Sequence, residues 1–294
     1  MFVKAIEAAA GFTRAIQTIS RNYGSNVIQP GTASLFFVNA DGWALTCGHV
    51  ARHVAAAEGL SQKRLAFKAE LDAARGQKKA KALVRALEGK YGFSRKTPFE
   101  VYNTFVNCVE GQLHVEARVH PQLDVALLRF RNFSRIVCES FASFASDSAG
   151  LRPGKFLCRL GFPFPEFTNY AFDRDVDEIR WTQEGRQDTP WFPVEGMVTR
   201  HMADDSRSVI GFEMSTPGLR GQSGGLVFDA DGVIWGMQAS TRHLDLDFDV
   251  DQEVLRRGQK TRVNSPTFLH VGQCVHVDIL KSFMEQHGVQ FQEA

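Results

Sequence analysis

The residues most able to do chemistry in this chain are a serine enclosed by glycines, Gly221-Gln222-Ser223-Gly224-Gly225. Glycines on both sides of a serine let the backbone turn tightly and present its N–H groups. A serine hydroxyl becomes a useful nucleophile only when a base takes its proton and donors hold the resulting oxyanion. The segment therefore predicts that Ser223 is a nucleophile, and it requires a histidine and a carboxylate elsewhere in the chain.

A histidine and an aspartate with suitable surroundings precede this serine. His49 lies in the segment LTCGHV (45–50), directly after a predicted strand, and Asp124 opens the apolar segment DVALL (124–128). Taken singly, each residue is explained as well by a structural role, since histidines at strand ends and aspartates in turns are common. The order His49, Asp124, Ser223, with each residue beside a strand, favours a catalytic triad.

The elements that must position these residues are short strands. After Pro30 the apolar residues alternate or form short runs bounded by turn signals such as Pro153-Gly154 and Asp231-Gly232. The predicted strands are 33–38, 43–46, 112–119, 125–130, 155–160, 196–200, 209–214, 225–228, 233–238 and 268–277. Many short strands without alternating helices indicate a mainly β protein built from antiparallel barrels.

The predicted organisation has three parts. Apolar residues at helical spacing, including Ile6, Ile16 and Ile19, predict an N-terminal helix within 1–24. A first β-barrel follows over 25–135 and carries His49 and Asp124, with a helical insertion at about 54–90. A linker at about 134–153 leads to a second barrel over 154–294, which carries Ser223 and ends in a helix.

Two charged segments interrupt the strand pattern. Residues 61–90 contain nine Lys/Arg and three Asp/Glu, a net charge of +6, which is explained by a solvated helix face or by a docking surface for an acidic partner. Residues 242–266 are polar and predict a long loop. The alternating aspartates Asp245, Asp247, Asp249 and Asp251 in that loop lack the glycine and glutamate of a calcium-binding EF-hand.

Composition limits the classes of function and the compartment. A net charge of +1 gives no general argument for binding nucleic acid or membranes, and no apolar segment is long enough to span a bilayer. The five cysteines are irregularly spaced and form no CxxC pair, and the N-terminus lacks the apolar region of a signal peptide. We therefore expect reduced thiols and a cytoplasmic protein.

The chain resembles the trypsin-like (chymotrypsin-fold) serine peptidases, most closely the bacterial HtrA-type branch. The matching segments, in family order, are GTASLFFV (31–38), LTCGHV (45–50), DVALL (124–128), GFPF (161–164), GMV (196–198), GQSGG (221–225), GMQAS (236–240) and VHVDILK (275–281). The resemblance implies two antiparallel Greek-key β-barrels and a C-terminal helix. No PDZ module is expected after the second barrel, which departs from the usual HtrA arrangement.

The resemblance also implies roles for individual residues. Ser223 would attack the scissile carbonyl, His49 would transfer the proton, and Asp124 would orient His49. The N–H groups of Gly221 and Ser223 would form the oxyanion hole. The substrate pocket would be lined by Thr216, Pro217, Gln238, Ala239 and Ser240. Pro217 replaces the aspartate of family members that prefer basic side chains, so we expect a pocket for apolar or small residues unless the acidic segment 245–251 folds over it.

Three alternatives to an active trypsin-like peptidase fit parts of the sequence. The glycine-serine segment also fits the nucleophile elbow of α/β-hydrolases, but that fold requires the order serine, acid, histidine. His49 and His53 have zinc-ligand spacing, but Val50 stands where metalloproteases need a glutamate, so neither a metal nor another cofactor is expected. The third alternative is a protease-like scaffold, or an enzyme active only when a partner orders it. We expect a protein or peptide substrate, with a regulatory partner at the basic insertion.

Overall fold

The computed structural model describes residues 1–74, 80–256 and 258–294 of a mainly β chain. Its first half contains α1 (Val3–Phe12), β1 (Thr13–Asn22), β2 (Gln29–Phe37), β3 (Trp43–Thr46), α2 (Gly48–Ala74), α3 (Ala80–Tyr91), β4 (Pro98–Phe105), β5 (Val109–Val119) and β6 (Ala126–Ile136). Its second half contains β7 (Ser143–Phe144), β8 (Phe156–Gly161), β9 (Tyr170–Asp173), β10 (Glu178–Trp181), β11 (Phe192–Ala203), β12 (Val209–Met214), β13 (Leu226–Phe228), β14 (Ile234–Arg256), β15 (Gln259–His276), α4 (Val277–Gln286) and β16 (Gln292–Glu293). None of the described helices is long and apolar enough to cross a membrane.

The first sheet carries the elements around His49 and Asp124. Its six strands run in the order β4-β1-β2-β3-β6-β5, and every neighbouring pair is antiparallel. Strands β4 and β5 are the two ends of this strand order, and helix α2 packs against β4, β5 and β6. The helix therefore covers the side on which the sheet does not close.

The second sheet closes on itself. The strands β13-β8-β11-β12-β15-β14 follow one another, and β14 pairs back with β13, so six antiparallel strands form a closed ring. The short strands β7 and β16 extend the sheet in parallel beyond β14. Between β6 and β8 the chain contains only β7 and a short 3-10 helix (Ser148–Gly150), in the segment predicted as a linker.

The N-terminal segment corrects the prediction of a helix over 1–24. Helix α1 ends at Phe12, and residues 13–22 form β1, the second strand of the first sheet. Burial along β1 alternates over much of its length, and its ladder with β2 pairs Ile16 with Ala33 and Ile19 with Pro30. The two isoleucines are therefore core residues of a strand, where β-branched side chains pack well, and not the face of a helix.

The predicted insertion is helical, but it begins earlier than expected. Helix α2 starts at Gly48, next to His49, rather than near residue 54, and α3 completes the insertion. The buried residues Phe67, Leu87, Phe93 and Phe99 form a separate cluster, to which Tyr23 adds ring contacts with Phe67, Phe93 and Phe99. Part of the predicted basic segment, 75–79, lies outside the described residues.

The polar segment 242–266 is not a loop. It forms the outer part of a long hairpin between β14 and β15, whose ladder continues to Arg256 and Gln259. Ion pairs between the strands, Arg262 with Asp251 at 2.6 Å and Lys260 with Glu253 at 2.7 Å, join the acidic residues to cations opposite them. Cross-strand pairs of this kind stabilise these exposed strands.

Candidate active site

His49 and Asp124 form a close pair in the first sheet, just after the end of β3 and just before the start of β6. The first turn of α2 holds His49, and Asp124 lies just before β6. Asp124 Oδ1 accepts a hydrogen bond of 2.8 Å from the His49 backbone N–H, and Oδ2 lies 2.7 Å from Nδ1 of the ring. An ionised carboxylate can only accept, so the proton of a neutral imidazole lies on Nδ1 and Nε2 keeps its lone pair.

The carboxyl group of Asp124 is held in its ionised form. Burial would raise its pKa, but the hydrogen bonds from the His49 ring and backbone outweigh burial, and the charges of His49 and Arg52 act in the same direction. The pKa of Asp124 is therefore below its ordinary value. Arg52 Nη2 approaches Oδ1 at 3.7 Å. An ionised Asp124 can stabilise an imidazolium at His49.

Cys47 lies next to this pair but is not a reactive thiol. It is buried, its Sγ donates to the carbonyl oxygen of Gln238 at 3.2 Å, and burial raises the pKa of the thiol well above its ordinary value. The ligand atoms of Cys47, His49 and Asp124 lie within 4.8 Å of one another, which is close enough to share a metal ion. A protonated thiol is a poor ligand, and Asp124 already uses both oxygens on His49, so these residues fit a hydrogen-bonded pair better than a metal centre.

The loop around Ser223 has the backbone that its glycines predict. Gly221 and Gly224 have φ angles of +99° and +82°, in the region that glycine adopts without strain. The N–H groups of Gln222, Gly224 and Gly225 donate to the carbonyl oxygens of Leu219, Gln238 and Gln222. Within the described residues, the N–H groups of Gly221 and Ser223 donate to no protein acceptor, and these are the two donors predicted for the oxyanion hole.

Ser34 is a functional residue that the sequence reasoning missed. This buried serine of β2 donates its N–H to the carbonyl oxygen of Ser223 at 2.9 Å, and its own carbonyl oxygen accepts from Thr46 Oγ1 at 2.8 Å. The first sheet therefore holds the loop of the second sheet that carries Ser223. The only sequence signal was a serine within the apolar segment of β2, next to Leu35, Phe36 and Phe37.

His49 and Ser223 line one cavity of about 730 Å³ between the two sheets. Ser223 Oγ donates to the carbonyl oxygen of Ala239 at 3.4 Å, and no hydrogen bond joins it to His49 in the part of the chain that the structure describes. Hydrogen bonds between catalytic groups are often long or misaligned before substrate binds. The cavity nevertheless brings His49, Gly221 and Ser223 to one place, with Asp124 hydrogen-bonded to His49.

The structure places most of the predicted pocket residues on this cavity. Pro217, Gln238, Ala239 and Ser240 line it, together with Gly218 and Thr241. Thr216 lies behind the wall, where its hydroxyl and carbonyl oxygens accept from Arg159. No residue of the acidic segment 245–251 is among the described lining residues; His243 and His270, at the base of the hairpin, reach the cavity instead.

Comparisons with known proteins agree with this architecture. The sequence matches the family described as "Trypsin-like peptidase domain" over residues 31–237. The fold is similar to a solved HtrA-type protease, AlgW, bound to a decapeptide, with a TM-score of 0.50 and 12% identity; the match covers 97% of this chain and 66% of that one. A variant of the same protease with a decapeptide matches with a TM-score of 0.48 and 11% identity, over 98% of this chain and 68% of that one.

No protein with a curated description matches the sequence significantly. At this level of identity the solved structures establish the fold, whereas the family match covers more than half of the chain. The chain is therefore a member of the trypsin-like peptidase family.

Proposed function

We propose that this protein is a serine endopeptidase that hydrolyses peptide bonds through His49, Asp124 and Ser223 by way of an acyl-enzyme. The observation that carries the proposal is the His49–Asp124 pair, in which one carboxylate accepts from both the backbone N–H and the ring of His49. This pair fixes the imidazole at the edge of the cavity that Ser223 also lines. Such an arrangement supplies a base for a serine hydroxyl.

In the proposed first stage, Ser223 Oγ attacks the scissile carbonyl carbon while Nε2 of His49 takes the hydroxyl proton. The tetrahedral intermediate collapses when the imidazolium gives that proton to the leaving amine, and the C–N bond breaks. In the second stage a water molecule attacks the ester, His49 takes a proton from the water, and Ser223 is released with its proton restored. Asp124 remains ionised throughout and stabilises the imidazolium.

The unpaired N–H groups of Gly221 and Ser223 support the same proposal. Both donors are free of protein acceptors in the described part of the chain, so they are available to an oxyanion formed next to Ser223 Oγ. Removing one oxyanion-hole donor typically lowers turnover by about 10²–10³. The N–H groups of Gln222, Gly224 and Gly225 are bonded within the protein, which holds the loop in place before substrate arrives.

The proposed substrate is an extended protein or peptide segment. The similar HtrA-type protease was solved with a decapeptide, and the cavity here is bordered by β14, a strand that can accompany a peptide backbone. We place the protein in the cytoplasm because all five cysteines are free thiols, as expected in a reducing compartment.

A form that is active only with a partner is the second candidate, and one observation favours it. Ser223 Oγ is directed to the carbonyl oxygen of Ala239 rather than to His49. His49 opens the same continuous helix, α2, that carries the basic insertion to Ala74. An acidic partner that binds the insertion would therefore act on the helix that positions the base. A protease-like scaffold without activity is the remaining alternative.

A fluorophosphonate probe, which reacts with activated serines, tests the three candidates. An active peptidase is labelled as wild type, whereas Ser223→Ala and His49→Ala are not, and Ser282→Ala, an exposed serine on α4, is labelled like wild type. Labelling only after a partner is added supports the regulated form. The triad assignment is wrong if His49→Ala cleaves a peptide substrate as fast as wild type does.

A further inference from the structure

A buried arginine without an acidic partner lies behind the wall of the cavity. Arg159 of β8 is fully buried, and no carboxylate among the described residues lies within ion-pair distance of it. Its Nη1 donates to Gln238 Oε1 at 2.7 Å, and its Nη2 donates to Thr216 Oγ1 at 2.6 Å and to the carbonyl oxygens of Thr216 and Pro217 at 2.9 and 3.0 Å. Its Nε, also buried, makes no hydrogen bond.

The free-energy cost of burying Arg159 indicates that this side chain has a role. Burying a cation without a counter-charge costs several kcal/mol, and hydrogen bonds that it donates to neutral oxygens offset this cost only in part. Nothing in the proposed bond-breaking steps uses Arg159. Its partners are instead Thr216, which lies behind the wall of the cavity, and Pro217 and Gln238, which line it.

The side chain of Gln238 fills the space between the walls. Besides accepting from Arg159, its Nε2 donates to the carbonyl oxygens of Ser240 at 2.6 Å and Gln273 at 3.3 Å. On the opposite wall, a Cβ placed on Gly218 would lie 2.2 Å from that Nε2. The amide of Gln238 is therefore pressed against the glycine, and the gap in which a substrate side chain would lie is occupied by the protein itself.

Arg159 itself fills the space next to Gly272. A Cβ placed on Gly272 would lie 1.9 Å from Arg159 Nη1, so the guanidinium takes the room that this glycine leaves. The two walls are joined by hydrogen bonds, from the Gly272 N–H to the Thr216 carbonyl oxygen at 2.9 Å and from Thr241 Oγ1 to the Gly218 carbonyl oxygen at 2.7 Å.

We propose that Gln238, held in place by Arg159, determines the specificity of the enzyme by admitting only small uncharged side chains, such as those of Gly, Ala and Ser, immediately before the scissile bond. This inference rests on the proposed function. Large side chains are excluded because the amide fills the gap, and basic ones are disfavoured further by the buried guanidinium. Arg159 is a positioning residue in this scheme, because it acts through Gln238 and through the wall carbonyls.

The test is a series of peptides that differ only in the residue before the scissile bond: Ala, Leu, Phe, Glu or Arg. For wild type we expect kcat/KM for Ala to exceed that for Phe at least ~10-fold, since misfit of even single methylene groups in a pocket changes rates by that order. Gln238→Ala is expected to reverse the Ala-to-Phe ratio. Gln238→Glu, which keeps the size and pairs with Arg159, is expected to retain it, whereas Arg159→Met is expected to relax it.

A wild type that prefers Phe, Arg or Glu overturns the inference, and so does an unchanged ratio in Gln238→Ala. The labelling rate with the fluorophosphonate is measured for each variant, because it reports on Ser223 without reference to the pocket and shows whether a variant is folded. Absence of labelling and cleavage in wild type rejects the proposed function instead. In that case the affinity of Ser223→Ala for product peptides ending in Ala or Phe still tests the pocket, and tighter binding of the Phe peptide rejects the inference.

Discussion

The hydroxyl of Ser34, on β2 of the first sheet, donates a hydrogen bond of 2.9 Å to the carbonyl oxygen of Gly221, in the loop 221–225 that carries Ser223. The same hydroxyl oxygen accepts from the N–H of Phe162 at 3.2 Å. One buried side chain therefore connects three chain segments that are far apart in sequence. Because the carbonyl and the N–H of Gly221 belong to one residue, this hydrogen bond holds the residue that carries a proposed oxyanion donor.

Replacing Ser34 by alanine is expected to lower kcat more than it raises KM. The Gly221 carbonyl loses its donor, and a misplaced catalytic group of this kind costs roughly 10–100-fold in rate. Two buried polar groups are also left unpaired, so the free energy of unfolding should fall by about 1–3 kcal/mol. Steady-state kinetics and urea denaturation measure the two effects, with Ser282→Ala as the matched control. An unchanged kcat in a destabilised Ser34→Ala would assign the hydroxyl a purely structural role.

Gly221 itself is expected to tolerate no side chain. A Cβ at this position would lie 2.4 Å from the carbonyl oxygen of Phe162 and 2.5 Å from Thr32 Oγ1, so Gly221→Ala must displace the loop. Gly154 provides a matched control, because its φ of +94° is close to the +99° of Gly221 but open space surrounds its Cβ position.

We therefore expect Gly154→Ala to lose only the roughly 1 kcal/mol of left-handed strain and to keep full activity. Gly221→Ala should lose that stability and about 10²–10³ in turnover, the cost of one oxyanion donor. Thermal denaturation and peptide hydrolysis are measured on both variants. Equal activity of the two variants would show that the oxyanion loop does not depend on close packing at Gly221.

The lowered pKa of Asp124 predicts how its contribution to stability depends on pH. A carboxyl group whose pKa is lower in the folded state stabilises the fold above its unfolded pKa of about 3.9, and this contribution disappears as the pH falls through the folded pKa. The difference in free energy of unfolding between wild type and Asp124→Asn should therefore narrow as the pH is lowered from neutrality to about 3.

Urea denaturation at a series of pH values measures this difference. A gap that stays constant or widens on acidification would mean that the stabilisation does not come from the ionised carboxylate. At neutral pH the same variant should lose roughly 10⁴ in kcat, because an amide in place of the carboxylate favours the wrong tautomer of His49. Loss of activity with a normal fold separates this effect from unfolding.

The parts of the fold that the sequence predicted well are those with strong local signals. Residues 209–214, for example, are a short apolar-rich run followed by Pro217-Gly218, and they form β12 with the predicted bounds. The outer hairpin was missed because its aspartates are poor strand formers. Its strands persist through pairing with each other, a non-local property that a single segment does not display.

The candidate site also has features that the sequence predicted and features that it did not. His49, Asp124 and Ser223 lie in distinctive segments. In the structure Asp124 is hydrogen-bonded to His49, and His49 and Ser223 line one cavity. Gln238 was predicted to line the pocket, but its contact with Arg159 and the role of Ser34 were not predictable, because these side chains act across segments that meet only in the folded chain. Nothing local in the sequence distinguishes a glutamine that lines a pocket from one that fills it.

A buried ion-pair network joins the helical insertion to the first sheet, and it gives the last prediction. Glu100 of β4 accepts from Arg21 of β1 and lies 3.1 Å from Nη1 of Arg64 on α2. All three side chains are almost fully buried. Glu178 of β10 adds a pair with Arg64 at 2.7 Å. Because α2 also carries His49, this network fixes the helix that positions the proposed base.

Glu100→Gln leaves two buried guanidinium groups with one counter-charge fewer, and breaking a buried pair in this way typically costs about 3–5 kcal/mol. We expect a loss of stability of that order in urea denaturation. The control Glu58→Gln, at an exposed position on α2, should change stability by less than ~0.5 kcal/mol. If the network anchors α2, Glu100→Gln also lowers the labelling rate of Ser223 at temperatures where the variant is still folded. A destabilised variant that is labelled at the wild-type rate would show that the insertion is stabilised independently of the site.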